Sequence, residues 1–300
     1  MSSRRKAARK QKNEGKNGAT AAALAPPPVY LQYTLRGYED GQPFERTLAQ
    51  LDRWAAQAAE SLDVVISSIP YTDDDAQHEH GKKELAPPIR VTLRQSNSVF
   101  IGGQIWDTSF VLACWFYARV ALGAIDIGGL HIAEVGAGIG LLSLALGALG
   151  AKVTATDLAS VVPILQRNLD LNPAHAASVT AAALDWGDAT AGAPPGSPFD
   201  LILACDCIYS EVSSSDLAVC LHRICAPGTV VWVVSEVRNE SIQAAFAASI
   251  APLFDIAFKD VDAEVLPLLP PELRSHSMRF YVLTRKDAPT ETLKRPAWLL

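Results

Sequence analysis

The stretch HIAEVGAGIGLLSLALGALGAKVTATD, residues 131–157, leaves little freedom to the fold. It reads as a short apolar strand, a glycine turn, a helix stopping at Gly150 and a second strand. Glycine is suited to the position just past a helix, where the backbone turns left-handed. Units of the same kind follow. LASVVPILQRNLDLN reads as a helix with Pro163 in its first turns, where proline is tolerated. SVTAAALDW, FDLILACD, TVVWVVSEV, DIAFKDV and MRFYVLTRK read as strands, and SSSDLAVCLHRICAPG and ESIQAAFAASIAPLF as helices. Strands alternating with helices of this length predict an α/β fold with a mostly parallel sheet and right-handed crossovers. The last two strands have no long helix between them, which predicts one antiparallel edge strand. Ligands of such sheets gather at the carboxyl ends of the strands.

Upstream the pattern is less regular. FERTLAQLDRWAAQAAE (44–60) carries apolar residues at helical spacing, DVVISSI (63–69) and IRVTLRQS (89–96) read as strands, and 108–124 as a helix. The acidic segment 70–88 reads as a loop. Seven of the 26 Lys and Arg residues, but only one of the 32 acids, fall within residues 1–17. The remainder, with 19 basic and 31 acidic residues, is therefore strongly acidic, which argues against a phosphate-gripping groove and a nucleic-acid partner. The expected divisions are a disordered basic tail (1–27), an N-terminal extension with helix, strands and acidic loop (28–98), a ligand-binding domain (99–287) and a C-terminal tail (288–300).

The apolar run 111–125 carries Arg119 and is shorter than the ~20 residues of a membrane span. The five cysteines show no paired CxxC spacing, and with six scattered histidines they predict reduced thiols and no metal site. A monomer in the cytoplasm, with access to the nucleus, is the expected setting.

Three readings compete for the glycine loop. A P-loop needs Gly-Lys-Ser/Thr, which is missing. A dinucleotide loop needs a third glycine where Leu141 stands. The observed spacing is Gly136, Gly138, Gly140, preceded by Glu134. Asp157 ends the next strand, about 20 residues on, where a carboxylate accepts from ribose hydroxyls. A carboxylate at 134 would repel a pyrophosphate but tolerate an amino group. These features favour S-adenosylmethionine over a nicotinamide. Asp185 and Trp186 fall where an adenine would lie; Trp186 either stacks on the base or packs at the rim.

GGQIWDTSFVLACWF, EVGAGIGLLSLALGALGAKVTATDL, ALDWG, FDLILACDCIYSE, SEVRNES and RSHSMRFYVLTRK stand in an order that resembles the seven-β-strand (class I) protein-lysine methyltransferases. The branch that looks closest includes the enzyme acting on valosin-containing protein. The resemblance covers about 99–286. It implies a Rossmann-like seven-stranded sheet with helices on both faces, S-adenosyl-L-methionine as donor, and as acceptor a lysine of a protein such as a chaperone, ATPase or translation factor. It also implies that Trp106 covers the cofactor and that Gly136, Ala137 and Gly138 lie under its methionine part, with Glu134 beside the loop. By the same carry-over Asp157 holds the ribose, Trp186 lies near the adenine, Cys205 lines the site, and Asp206 to Tyr209 form the acceptor motif. Residues 36–98 align with none of these motifs, and the acidic loop within them looks like an insertion.

Asp206 and Tyr209 then face a lysine. A lysine of pKa about 10.4 is neutral in only about one molecule in 2,500 at pH 7. A carboxylate beside it makes deprotonation harder, so Asp206 is expected to orient the amine as a hydrogen-bond acceptor rather than to act as a base. Tyr209 is expected to wall the channel. Glu236 and Arg238 either contact the substrate or brace one another. Rival readings are a methyltransferase for a small molecule or nucleic acid, and an inactive interaction module. Cys207 and Ile208 stand where amide- and adenine-directed enzymes carry prolines, and the intact glycines, Asp157 and Asp206 argue against an inactive module.

Overall fold

The computed structural model describes residues 29–48, 52–68, 85–274, 277–287 and 296–300. The basic tail and most of the acidic loop, including the stretch 73–80, lie outside them. The chain builds two sheets. The first is antiparallel, in the order β2-β1-β3-β4, from β1 (Tyr30–Glu39), β2 (Gln42–Leu48), β3 (Ser61–Ser67) and β4 (Ile89–Arg94). A short helix, α1 (Arg53–Ala58), joins β2 to β3 and is capped by the Asp52 carboxylate, which accepts from the Ala55 amide.

The second sheet has seven strands, β5 (His131–Val135), β6 (Lys152–Asp157), β7 (Val179–Ala183), β8 (Leu201–Cys205), β9 (Val230–Glu236), β10 (Phe254–Phe258) and β11 (Met278–Arg285). Their order is β10-β11-β9-β8-β5-β6-β7. Neighbours from β9 to β7 pair in parallel, whereas β11 runs against both β9 and β10. The mostly parallel sheet with antiparallel pairing at one edge is the one the strand pattern predicts. Its helices are α2 (Asp107–Ala121), α3 (Leu141–Ala148), α4 (Val162–Leu171), α5 (Pro173–Ala176), α6 (Glu211–Ile224) and α7 (Glu240–Ile250).

The two-residue period of the strands explains why both faces are covered. Leu201, Leu203, Trp232 and Val234 pack with α2, α3 and α4, while Ile202, Ala204, Val231 and Val233 pack with α6 and α7. The small sheet shares the first of these cores, through Leu31, Tyr33, Leu62 and Val91. Its edge strand β4 is closed by two asparagines one helical turn apart, one on α4 and one just past its end. Asn168 accepts from the Arg94 amide at 2.8 Å and donates to the Arg94 carbonyl at 3.0 Å; Asn172 does the same at Thr92, at 2.8 and 2.7 Å. Side-chain amides thus replace the missing next strand.

Two differences from the sequence reading have physical causes. The helical spacing over 44–60 yields a helix only at Arg53–Ala58, because residues 42–48 pair with β1, whose alternating Leu31, Tyr33 and Leu35 bury one face. Residues 296–300, expected in a tail, pack instead: Leu299 is buried, its carbonyl accepts from Trp232 Nε1 at 2.8 Å, and Trp298 meets the Trp232 ring edge-on. All five cysteines are free thiols, and no helix among the described residues is long and apolar enough to cross a membrane.

Candidate active site

Parallel pairing brings the carboxyl ends of β5, β6, β8 and β9 to one edge. There the chain turns from β5 into α3 through Gly136 (φ 73°) and Gly138 (φ 54°), left-handed conformations that L side chains rarely adopt. Space is short as well. A β-carbon on Gly136 would stand 2.7 Å from Cys207 Sγ and 3.1 Å from the Trp186 ring. Cys207 and Trp186 are therefore laid directly against the loop. The Cys207 thiol is held there by the Val135 carbonyl at 3.2 Å. Cys205, partly buried at the end of β8, packs toward the opposite core. Ala137 is tucked in, with its amide on the Thr156 carbonyl at 2.9 Å.

Asp157 ends β6 and bends back to the loop. Its Oδ2 accepts from the Gly138 amide and its Oδ1 from the Leu158 amide, each at 2.8 Å. Burial raises its pKa, and the two amides oppose that rise. From Glu134 to Leu141 the loop carries no basic side chain. An acid at a strand end suits a ribose-bearing ligand, and Leu141 stands where a dinucleotide loop needs its third glycine. The donor set therefore fits S-adenosylmethionine.

Glu134 departs from the expected ionised group beside the loop. It is 2% exposed, and its carboxyl is hydrogen-bonded by the Ser143 hydroxyl of α3. Burial pushes its pKa up to about 8, so it is mainly protonated at pH 7. Repulsion of a pyrophosphate by a charged Glu134 is thus not available at neutral pH. A folded-state pKa above the ordinary value means the folded protein holds a proton that the unfolded chain releases. This stabilisation is complete below the ordinary glutamate range and is lost as the pH rises toward 8. In Glu134→Gln the fall in Tm between pH 6 and pH 8.5 is expected to be smaller than in the wild type. Equal falls in scanning calorimetry would show that another group carries the dependence.

At the end of β8, Asp206 adopts a left-handed backbone (φ 58°), one of two non-glycine residues among those described that do so. Aspartate tolerates this conformation better than most residues. The turn aims the carboxylate at Arg238, which grips it with both terminal nitrogens, Nη1 to Oδ1 at 3.2 Å and Nη2 to Oδ2 at 2.6 Å. The Glu236 amide adds a longer contact of 3.4 Å. Arg238 also pairs with Glu236 at 2.8 Å and lies 5.1 Å from the centre of the Trp106 ring. Of the two readings left open for Glu236 and Arg238, bracing is the geometry observed, and the brace extends to Asp206 itself. The Asp206 side chain is 2% exposed; burial raises its pKa, with Arg238 opposing.

Trp106, just before α2, donates its Nε1–H to the Ile101 carbonyl at 3.0 Å. Tyr209 stays 44% exposed, its ring 6.3 Å from that of Trp186. Asp185 only closes a local turn on the Gly187 amide. The structure thus gathers Gly136, Gly138, Asp157, Trp186, Asp206, Tyr209 and Trp106 at one edge, and turns Glu134 and Ala137 inward. Sequence reasoning missed Cys207 against Gly136 and the reach of Arg53 and Asp107 into the acceptor side. The excluded space at Gly136 and a contact spanning 183 residues leave no mark in local sequence.

A family model described as lysine methyltransferase matches residues 86–251, more than half of the chain. Protein N-lysine methyltransferase METTL21A of Mus musculus is 32% identical over 153 residues, covering 50% of this chain and 68% of that protein. EEF1A lysine methyltransferase 3 of Xenopus tropicalis is 25% identical over 180 residues, covering 59% and 78%. Protein-lysine methyltransferase METTL21E of Bos taurus is 32% identical over 159 residues, covering 52% and 54%. With the matched region spanning the glycine loop, Asp157, Asp206 and Arg238, the chain belongs to the lysine methyltransferase family, a family of S-adenosylmethionine-dependent enzymes.

Proposed function

We propose that the acceptor is a lysine side chain of a protein, delivered to Asp206 and Tyr209 at the carboxyl edge of the seven-stranded sheet. The observation that carries this reading is the Asp206–Arg238 clamp. A lone carboxylate beside a lysine stabilises the ammonium and hinders deprotonation. Clamped by a guanidinium, the same carboxylate forms a pair without net charge. A carboxylate has about four lone-pair sites. Two take Arg238 and a third the Glu236 amide, which leaves one for an incoming N–H. Asp206 can therefore orient an amine without the electrostatic penalty of an unpaired anion.

S-adenosylmethionine supplies a methyl group on a sulfonium, an electrophile for a neutral amine. Asp157 and the Gly136–Gly138 loop would hold it, with Trp186 at the adenine end and Trp106 over the acceptor side. Tyr209, half-exposed, offers an aromatic face to a cationic side chain as it arrives. Proton release from the amine is assigned to water at the open edge, because a carboxylate bound to a guanidinium is a weak base.

A chaperone, an ATPase or a translation factor is the proposed type of substrate, and the enzyme acting on valosin-containing protein the proposed branch. The Xenopus tropicalis relative, named for EEF1A as the bearer of its lysine, is in keeping with a protein acceptor. Incubation with donor tritiated at the methyl group and a cell extract, followed by mass spectrometry of the labelled species, is expected to show label on lysine. Label confined to glutamine, nucleic acid or small molecules would reject the proposal.

A further inference from the structure

The small sheet reaches the acceptor edge through one residue that lies outside the matched family region. Arg53, the first residue of α1, donates from Nε to Asp107 Oδ2 at 2.7 Å and from Nη2 to Glu236 Oε2 at 2.9 Å. That same oxygen of Glu236 takes Arg238 Nη2, and Arg238 grips Asp206. A string of alternating charges, Asp107–Arg53–Glu236–Arg238–Asp206, thus runs from α2 across the small sheet's helix to the acceptor carboxylate.

The helix that carries Arg53 is itself pinned. Gln95, just past β4, donates to the Ala56 and Ala59 carbonyls at 2.7 and 2.6 Å and accepts from the Ile105 amide at 2.8 Å. Gln57 of α1 donates to the Ile105 carbonyl at 3.1 Å. Ile105 immediately precedes Trp106. The placement of Arg53 is therefore built into the junction between the sheets.

We propose that Arg53 is a positioning residue for methyl transfer, holding Glu236 so that Arg238 stays clamped on Asp206 when the lysine enters. This rests on the lysine reading above.

The charge count supports a functional role. Asp107, Glu236 and Asp206 face Arg53 and Arg238, which leaves the group one negative charge in excess. Asp52 caps α1 nearby, and its amide donates to the Tyr33 hydroxyl. Burial raises the pKa of Tyr33, Cys205 and Cys207, so all three stay neutral near pH 7. Without Arg53 the excess becomes two, and Glu236 loses one guanidinium and competes harder for Arg238. Both changes favour the protonated lysine, and the second draws the clamp from Asp206. An uncompensated negative charge in this string raises the pKa of the incoming lysine, at an effective dielectric between that of a protein surface and water by about half a unit to one unit.

The test uses the full chain as wild type, Arg53→Met, Arg53→Lys and, as a control at an exposed ion pair of the same sheet, Arg36→Met. Calorimetric binding of S-adenosylmethionine is expected to stay within about twofold in all four, which separates misfolding from mispositioning. Transfer of tritiated methyl to extract protein is then followed against pH. Arg53→Met is expected to fall about tenfold at pH 7, with its half-maximal pH raised by about half a unit to one unit. Arg53→Lys should restore the profile, and Arg36→Met should leave it unchanged. A rate lowered equally at every pH, or an unchanged rate, overturns the proposal. Titration of the Asp206 carboxyl by carbon-13 NMR tests the string without any acceptor. Its midpoint is expected to rise in Arg53→Met, and an unmoved midpoint overturns the proposal even where label reaches lysine. If label never reaches lysine but the midpoint moves, the lysine reading fails and the role of Arg53 in holding Asp206 stands.

Discussion

Asp206→Ala is expected to bind S-adenosylmethionine as the wild type does and to lose turnover by about a hundredfold or more, the scale on which misplaced reacting groups slow a reaction. Two effects combine in the alanine variant. The acceptor oxygen disappears, and Arg238 keeps only Glu236 as an anionic partner. The left-handed backbone at 206 also suits alanine poorly, costing about 1–2 kcal/mol in stability. Asp206→Asn separates these contributions, because asparagine tolerates the same backbone and retains an oxygen while removing the charge. Intermediate turnover in the asparagine variant is the expected result of single-turnover assays with tritiated donor. Undiminished transfer by the alanine variant would remove Asp206 from the acceptor role.

Asp157→Ala is expected to act on the donor instead, raising its Kd by about 30- to 1,000-fold. That is the equivalent of about 2–4 kcal/mol for two hydrogen bonds to a charged acceptor. Asp157 also anchors the glycine loop through the Gly138 amide, so part of the loss is a loosened loop. Calorimetric titration, with Tm as a check on folding, measures the first effect beside the second. The raised pKa of Asp157 adds a direction: ionised Asp157 is the better acceptor, so donor affinity is expected to fall as the pH drops through its titration. Donor binding equal to the wild type would assign the ribose contact to another residue.

Much of the cofactor half of the site was legible in the sequence, because its information is local. A glycine turn between strand and helix and an acid at the next strand end are features of short segments, and parallel pairing places them side by side. The D-x-x-Y motif was legible through the family resemblance. The acceptor half was legible only in part. Asp206 and Tyr209 were found, but bracing of Glu236 by Arg238 was one of two open readings, the grip of Arg238 on Asp206 was not read, and Arg53 fell only within the helical spacing of 44–60. Glu134 was placed beside the loop and assigned a charge, whereas its environment is set by Ser143 and the surrounding core. Ionisation depends on burial and neighbours, which local sequence does not specify.

The sequence by itself determined the α/β class, the mostly parallel sheet, the glycine loop with Asp157, and the segment ending in Asp206 and Tyr209. The first three follow from periodicity or spacing within about 30 residues, and the last from a motif carried by the family resemblance. Tertiary structure alone decided that the N-terminal strands form a sheet sewn to α4 by Asn168 and Asn172. It also decided that Cys207 and Trp186 close on Gly136, and that the Asp206 charge is cancelled across the strand ends and linked to Arg53. The reason is one of range. Backbone periodicity is written into neighbouring residues, while excluded volume and charge compensation arise between side chains that only the completed chain brings within 3 Å.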